Sequence, residues 1–244
     1  MNHVNKITRS GFTLVELMLA LAFIGVLLLA IATTIIQIGA NFNRGLTIKE
    51  VNQSGRSISE DIRYTVSSGL ASSGVVNDGS ADPGQGRLCL GTFSYVWNYG
   101  RILSPESSSP TVKVPTPASD GSVDMVPARF VRVSDGSRKY CEKSGSGHFV
   151  IQEVLSSDRP VELLSVGDRK LAIYKFETTS PPNLVDPVSS KRIHSLKFSI
   201  GAGDLSAIHP SLERCYIPGD EGAGANVDLT YCTVQTFNIT VGGY

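Results

Sequence analysis

The sequence predicts an α+β protein, with one long N-terminal α-helix and a C-terminal antiparallel β-sheet domain. The first half of the helix is expected to cross a membrane, and its second half to pack on the sheet. Three observations predict this. Between Glu16 and Arg44 there is no charged residue. Further on, Val51, Gly55, Ile58, Ile62 and Val66 recur at spacings of four and three, which places them on one helix face. After residue 68 come short segments rich in β-branched and aromatic residues, with Gly, Pro, Ser and Asp between them and no helical pattern.

The apolar stretch Leu17 to Ile36 is about 20 residues, or about 30 Å as a helix, which matches a bilayer core. No proline occurs before Asp82, so the helix is expected to continue from Phe12 to about Ser68 with Gly69 as its stop. Residues 12–39 form its transmembrane part and residues 40–68 its extension. Lys49, Glu50, Gln53, Arg56, Glu60 and Arg63 lie largely off the apolar stripe. Lys6 and Arg9 precede the span with no comparable cluster just behind it, which sets the start in the cytoplasm and the bulk outside. Met1 to Gly11 reads as a processing segment.

Residues 69–244 are expected to form an extracytoplasmic, β-rich globular domain. Its strand candidates are Arg87 to Tyr99, Ala128 to Val133, Phe149 to Leu155, Val161 to Val166, Leu171 to Thr178, Ile193 to Ile200 and Leu229 to Val241. The Ser- and Pro-rich stretch Leu103 to Met125 reads as an exposed excursion. The 244 residues carry 22 basic and 22 acidic side chains, a balance that gives no support to bulk nucleic-acid binding.

All four cysteines, Cys89, Cys141, Cys215 and Cys232, follow the span. In an exported domain an even count reads as two disulfides with three possible connectivities, against the alternative of four buried thiols. Cys215–Cys232 is favoured because the Gly-rich stretch Gly219 to Gly224 lets the chain turn back between them. Cys89–Cys141 then follows by elimination.

The segment Gly11-Phe12-Thr13-Leu14-Val15-Glu16 places an acid at the head of the apolar helix. A lone carboxylate in lipid costs several kcal/mol, on the order of 3 or more, unless a cation meets it. This segment resembles the prepilin cleavage and methylation motif of type IV pilins and type II secretion pseudopilins, a resemblance that covers about the first quarter of the chain. It implies a cut between Gly11 and Phe12, N-methylation of the new Phe12 amine, and pairing of Glu16 with the amine of a neighbouring subunit. Loss of Lys6 and Arg9 with the leader would leave 20 basic side chains against 22 acidic ones. Many pilins carry a Gly where Gly25 stands and a Pro eight residues on. This chain has Thr33 there, a departure that leans toward a minor subunit.

Other candidates carry plainer readings. Phe93, Tyr95, Trp97 and Tyr99 alternate, so they share one strand face; sheet core is expected, and a stacking surface for sugars or single strands is the alternative. Arg129, Arg132, Arg138, Lys139 and Lys143 cluster in sequence; solvated edge charge is expected over DNA contact. Asp120, Asp124, Asp220, Glu221 and Asp228 sit in turn-like contexts without a calcium-ligand pattern. His148, His194 and His209 are isolated, and no nucleophile motif occurs. Asn238-Ile239-Thr240 matches a glycosylation acceptor inside a strand candidate.

The expectation is therefore a pilin-like structural subunit, not an enzyme, with no cofactor and no bound metal. Its expected partners are other pilin or pseudopilin subunits through the N-terminal helix, prepilin peptidase, an inner-membrane platform protein and membrane lipid; nucleic acid is not among them. Its expected place is the inner or cytoplasmic membrane, and then a surface or periplasmic filament. The alternative is a membrane-anchored adhesion or DNA-binding module.

Overall fold

The computed structural model describes residues 11–66, 84–103, 107–164, 170–179, 192–202, 207–209, 214–217, 219–220 and 231–243. The chain divides into two units, Met1–Asn43 and Arg44–Tyr244. One helix, α1 (Leu14–Thr65), runs from the first into the second and is 52 residues long. It starts two residues later than expected because Thr13, not Phe12, marks the entry. The expected stop at Ser67 to Gly69 lies outside the described residues.

In the first unit the helix is apolar and open: Leu14, Leu19, Val26, Leu29 and Ile36 are each at least 70% exposed. It is long and apolar enough to cross a bilayer, which is compatible with a membrane anchor.

In the second unit the same helix buries one face. Thr47, Val51, Gly55, Ile58, Ser59, Ile62 and Thr65 are buried, and Val66 follows them. Every residue of the stripe read from the sequence is therefore inside. Lys49, Gln53, Arg56, Glu60 and Arg63 stay exposed.

The strands are β1 (Gln85–Leu90), β2 (Phe93–Asn98), β3 (Lys113–Pro117), β4 (Val123–Pro127), β5 (Val131–Ser134), β6 (Val161–Glu162), β7 (Ala172–Thr179), β8 (Arg192–Ala202), β9 (Ile208–His209), β10 (Arg214–Cys215) and β11 (Thr233–Gly243). They form a four-stranded sheet β1-β2-β5-β6, a three-stranded sheet β11-β8-β7, and the small pairs β3-β4 and β9-β10. All these pairings are antiparallel. A parallel bridge from Tyr99 to Ile173 joins β7 to the end of β2. The fold is α+β, as expected.

Three strand readings need correction. Arg87 to Tyr99 is a hairpin, not one strand: Leu90 pairs with Phe93, and Gly91 takes φ 62° in the turn between them. The stretch Leu103 to Met125 is not simply an excursion, since it holds β3 and most of β4, with Val112 and Val114 buried. Prolines 115 and 117 suggested a loop, but a two-stranded pair tolerates proline where no ladder hydrogen bond is needed. Phe149 to Leu155 forms no strand, only isolated bridges at Phe149 and Glu153, although Phe149 and Val154 are buried.

The main core lies between α1 and the two larger sheets. A row of rings runs through it. Tyr95 and Phe130 lie 5.6 Å apart, Phe130 and Trp97 5.4 Å, and Trp97 and Phe176 4.7 Å. Phe176 and Phe198 follow at 5.8 Å, and Phe198 and Phe237 at 5.4 Å. The last ring sits where a side chain on Gly55 would be: a Cβ there would lie 2.1 Å from the Phe237 ring. A second core covers the other face of the four-stranded sheet, where Val96, Val131 and Val133 meet Val112, Val114, Tyr140 and Val154.

The helix is fixed over the sheet by a small polar group. Tyr95 donates from its hydroxyl to Asp61 at 2.8 Å, and Thr65 lies 2.9 Å from the same hydroxyl. Arg132 pairs with the other Asp61 oxygen. Burial pushes the Tyr95 phenol well up, so it remains a donor at all ordinary pH.

Gly55→Ala is expected to destabilise the domain by about 1–3 kcal/mol, because the overpacking outweighs the roughly 1 kcal/mol that Ala gains in a helix. Thermal denaturation of the full chain reads the loss. In a Phe237→Leu background the same change should cost clearly less; equal costs in the two backgrounds would show that the ring is not the obstacle.

Candidate functional site

The conspicuous chemistry lies at the head of α1. Thr13 is the N-cap. Its hydroxyl accepts from the Glu16 backbone N–H at 3.3 Å, and Glu16 Oε2 accepts from the Thr13 backbone N–H at 2.9 Å. This reciprocal arrangement is a capping box, which satisfies orphan donors of the first turn. The Thr13 hydroxyl also donates to Glu16 Oε2 at 2.9 Å, and the Leu17 N–H reaches the Thr13 carbonyl at 3.2 Å. Phe12 is 86% exposed, and Gly11 has open space where a Cβ would stand. Both lie ahead of the helix, so the peptide bond between them is accessible.

Glu16 thus has a local role that the sequence reading missed. The signal was present in the spacing Thr13-Leu14-Val15-Glu16, the S/T-x-x-E pattern of a capped start. The box binds the Glu16 side chain to neutral donors only. A cut after Gly11 would free an amine one residue before a backbone N–H already bonded to that carboxylate. Deeper in the span, the Thr33 and Thr34 hydroxyls both donate to the Ala30 carbonyl, at 2.9 Å and 2.8 Å. Thr33 therefore keeps its polar atom bonded within the helix.

The β domain absorbs most of the other candidates into its own structure. Tyr95 and Trp97 have no exposure, Tyr99 is buried and Phe93 half-buried, so the aromatic alternation is core and not a stacking surface. The basic residues do not form one patch. Arg132 pairs with Asp61, Lys139 with Asp158 at 2.8 Å, and Lys143 lies over the Phe149 ring. Arg138 holds φ 61° at the start of a short 3-10 turn. Asp120 accepts from the Ser122 backbone and hydroxyl, a self-contained turn. The His209 and Tyr216 rings meet at 5.0 Å with their planes tilted by 54°. Glu221, Asp228 and the His194 side chain lie outside the described residues. Among the described residues no three His, Cys, Asp or Glu side chains stand together as a metal site.

Cys89 is joined to Cys141 and Cys215 to Cys232, with Cα–Cα separations of 6.5 Å and 5.9 Å. The first ties β1 to the turn after β5, and the second ties β10 to the approach to β11. Sequence separations of 52 and 17 correspond to about 4 and about 3 kcal/mol in the chain-entropy account. Beside the first, the buried Asp135 carboxylate accepts from Ser94 Oγ at 2.8 Å, Lys139 N at 2.9 Å and Tyr140 N at 3.2 Å.

A cleft of about 400 Å³ opens between the β3-β4 pair and β6, walled by Val114, Pro115, Pro117, Val126 and Pro127, with Arg129 and Glu162 at its edge. Glu162 accepts from the backbone N–H groups of Phe130, Arg129 and Leu164. Burial pushes its carboxyl up and the Arg129 guanidinium down, each toward its neutral form.

No family model, curated protein or solved structure matches the chain.

Asp220 supplies a pH test. The bidentate Arg214 guanidinium, at 2.8 Å and 3.0 Å, draws its carboxyl from 3.8 down to about 2. A depressed carboxyl stabilises the fold above its unfolded value and loses that contribution as pH falls through the folded one. The thermal-midpoint gap between the parent and Asp220→Asn should therefore be steady above pH about 5 and close between about 4 and 2. A gap unchanged down to pH 2 would remove Arg214 as the cause.

Proposed function

We propose that the chain is a pilin-like structural subunit, a minor component of a type IV pilus or a type II secretion-like pseudopilus. Prepilin peptidase would remove residues 1–11, and the mature subunit would join a helical filament through α1. The observation that carries this reading is the head of the helix: an accessible Gly11-Phe12 bond, a capped Glu16, and an uncharged apolar surface without cover of its own.

The physics favours a structural role for that surface. Lipid tails and neighbouring apolar helices are nearly equivalent environments for Leu, Ile and Val, so one face can serve both in the membrane and in a bundle. Glu16 is the exception. Its charge is bonded but not neutralised, and the ammonium of Phe12, its own or a neighbour's, would complete it. Two disulfides suit an oxidising, exported location for the domain. With the N-terminus inside and the bulk outside, an inner-membrane platform protein would receive the helix. The alternative of an adhesion or DNA-binding module loses most of its aromatic basis, since Tyr95, Trp97 and Tyr99 are buried and Phe93 is half-buried.

N-terminal sequencing of the cell-derived product should begin at Phe12, with an added methyl mass on that residue. A product beginning at Met1 would falsify the reading. Glu16→Ala should insert normally yet enter filaments at roughly a tenth of the parental level, the loss expected when one partner of an ion pair in lipid is removed. Thr13→Ala removes the cap, worth about 1 kcal/mol, but not the charge, and should retain most incorporation. Equal loss in both variants would mean that Glu16 acts only as a cap.

A further inference from the structure

The outer edge of β11 is the longest strand edge left unpaired among the described residues, with β10 tied near its start by Cys215–Cys232. Eleven residues pair with β8 in unbroken register, from Thr233↔Ala202 to Gly243↔Arg192. Among the described residues no strand pairs with the other side. Edges of this kind are usually blunted by charge, proline, a bulge or shortness. Thr233 to Gly243 contains no Asp, Glu, Lys, Arg or Pro. The other main edges differ: β1 is six residues long, buried throughout and carries Arg87, β6 has two residues, the β3-β4 pair carries Pro115, Pro117 and Pro127, and β7 has a bulge and meets Tyr99.

We propose that this edge is an interaction surface, and that its occupant is β11 of a second copy of this chain, added antiparallel. The strand is suited to meet itself. Thr236, Asn238 and Thr240 are exposed on one face, while Ile239 and Val241 are buried on the other. Antiparallel pairing centred between Thr236 and Thr240 sets Thr and Asn against Thr and Asn and extends the apolar face, with no like charges opposed. The edge offers about 36 Å of backbone at about 3.3 Å per residue. The sheet would grow from β11-β8-β7 to six strands across two chains. The inference rests on the filament reading only for bringing copies together in one membrane.

The test uses the full chain in its own membranes. Cysteine is placed at Thr236, Asn238 or Thr240, singly and in co-expressed pairs, and disulfide dimers are read on non-reducing gels. Mass spectrometry confirms that Cys89–Cys141 and Cys215–Cys232 persist. Leu27→Cys, in the apolar helix, reports association through α1 independently. At least one edge combination should dimerise, and Lys at the adjacent exposed position should lower that dimer about fivefold or more by opposing like charges. If Leu27→Cys dimerises and no edge combination does, the edge proposal fails while the filament reading stands. If neither dimerises, both fail. An adduct to a different protein at these positions overturns the choice of a second copy.

Discussion

The second half of α1 can lie on the sheets only because Gly55 has no side chain. The ring of Phe237 occupies that space, and Phe237 ends the row of aromatics that crosses both large sheets. Rings on neighbouring strands stack because the register aligns them: Phe176 faces Phe198, and Phe198 faces Phe237. The row thus depends on the pairing of β7, β8 and β11, and the helix position depends on where the row ends. A glycine inside a helix is costly, at about 1 kcal/mol relative to Ala. Here the cost allows a close helix-to-sheet approach that no residue with a Cβ permits without displacement of the ring.

Asp61 adds direction to this contact. Apolar packing is tolerant of small rotations, but a carboxylate shared by Tyr95 and Arg132 is not. Losing either partner would leave a partly buried group under-satisfied, which is more costly than the net value of the bond itself. The helix is therefore held in two ways, by the space at Gly55 on its buried face and by the charge of Asp61 on the flank of that face, six residues on.

Much of this was legible because it is periodic. The stripe from Val51 to Val66 and the alternation from Phe93 to Tyr99 each follow one period, and each proved to be core. The cysteines allowed three pairings, and the Gly-rich return singled out the one present. What was not legible depends on partners distant in sequence. Gly91-Thr92 breaks a β-rich run into a hairpin, yet one glycine in a strand pattern also fits a bulge. Pro115 and Pro117 suggest a loop until β4 supplies a strand that does not need their missing donors. Asp61 has no unusual neighbours in sequence; Arg132 and Tyr95 reach it only after the sheet has formed. The capping box was different. Thr13 and Glu16 stand three apart in plain view, and the acid draws attention by its charge although its first bonds are to the cap.

The local bonding of polar groups in the membrane-compatible half carries a further consequence. Thr13, Glu16, Thr33 and Thr34 each find partners within one turn of their own helix. Apart from Gln37, the rest of that surface over residues 12–39 is apolar, and for it lipid and a neighbouring helix are nearly alike. Such a surface can associate but discriminates poorly, because discrimination needs groups whose loss of partners is costly. If like chains assemble through it, selectivity must come from elsewhere in the molecule. Within the span the charge of Glu16 and the amide of Gln37 are the groups that could supply it, and two points fix axial position more than identity. Identity would have to be read by the domain, where backbone donors and acceptors with defined spacing stand at an edge. Backbone hydrogen bonds set register, and the side chains beside them set the partner.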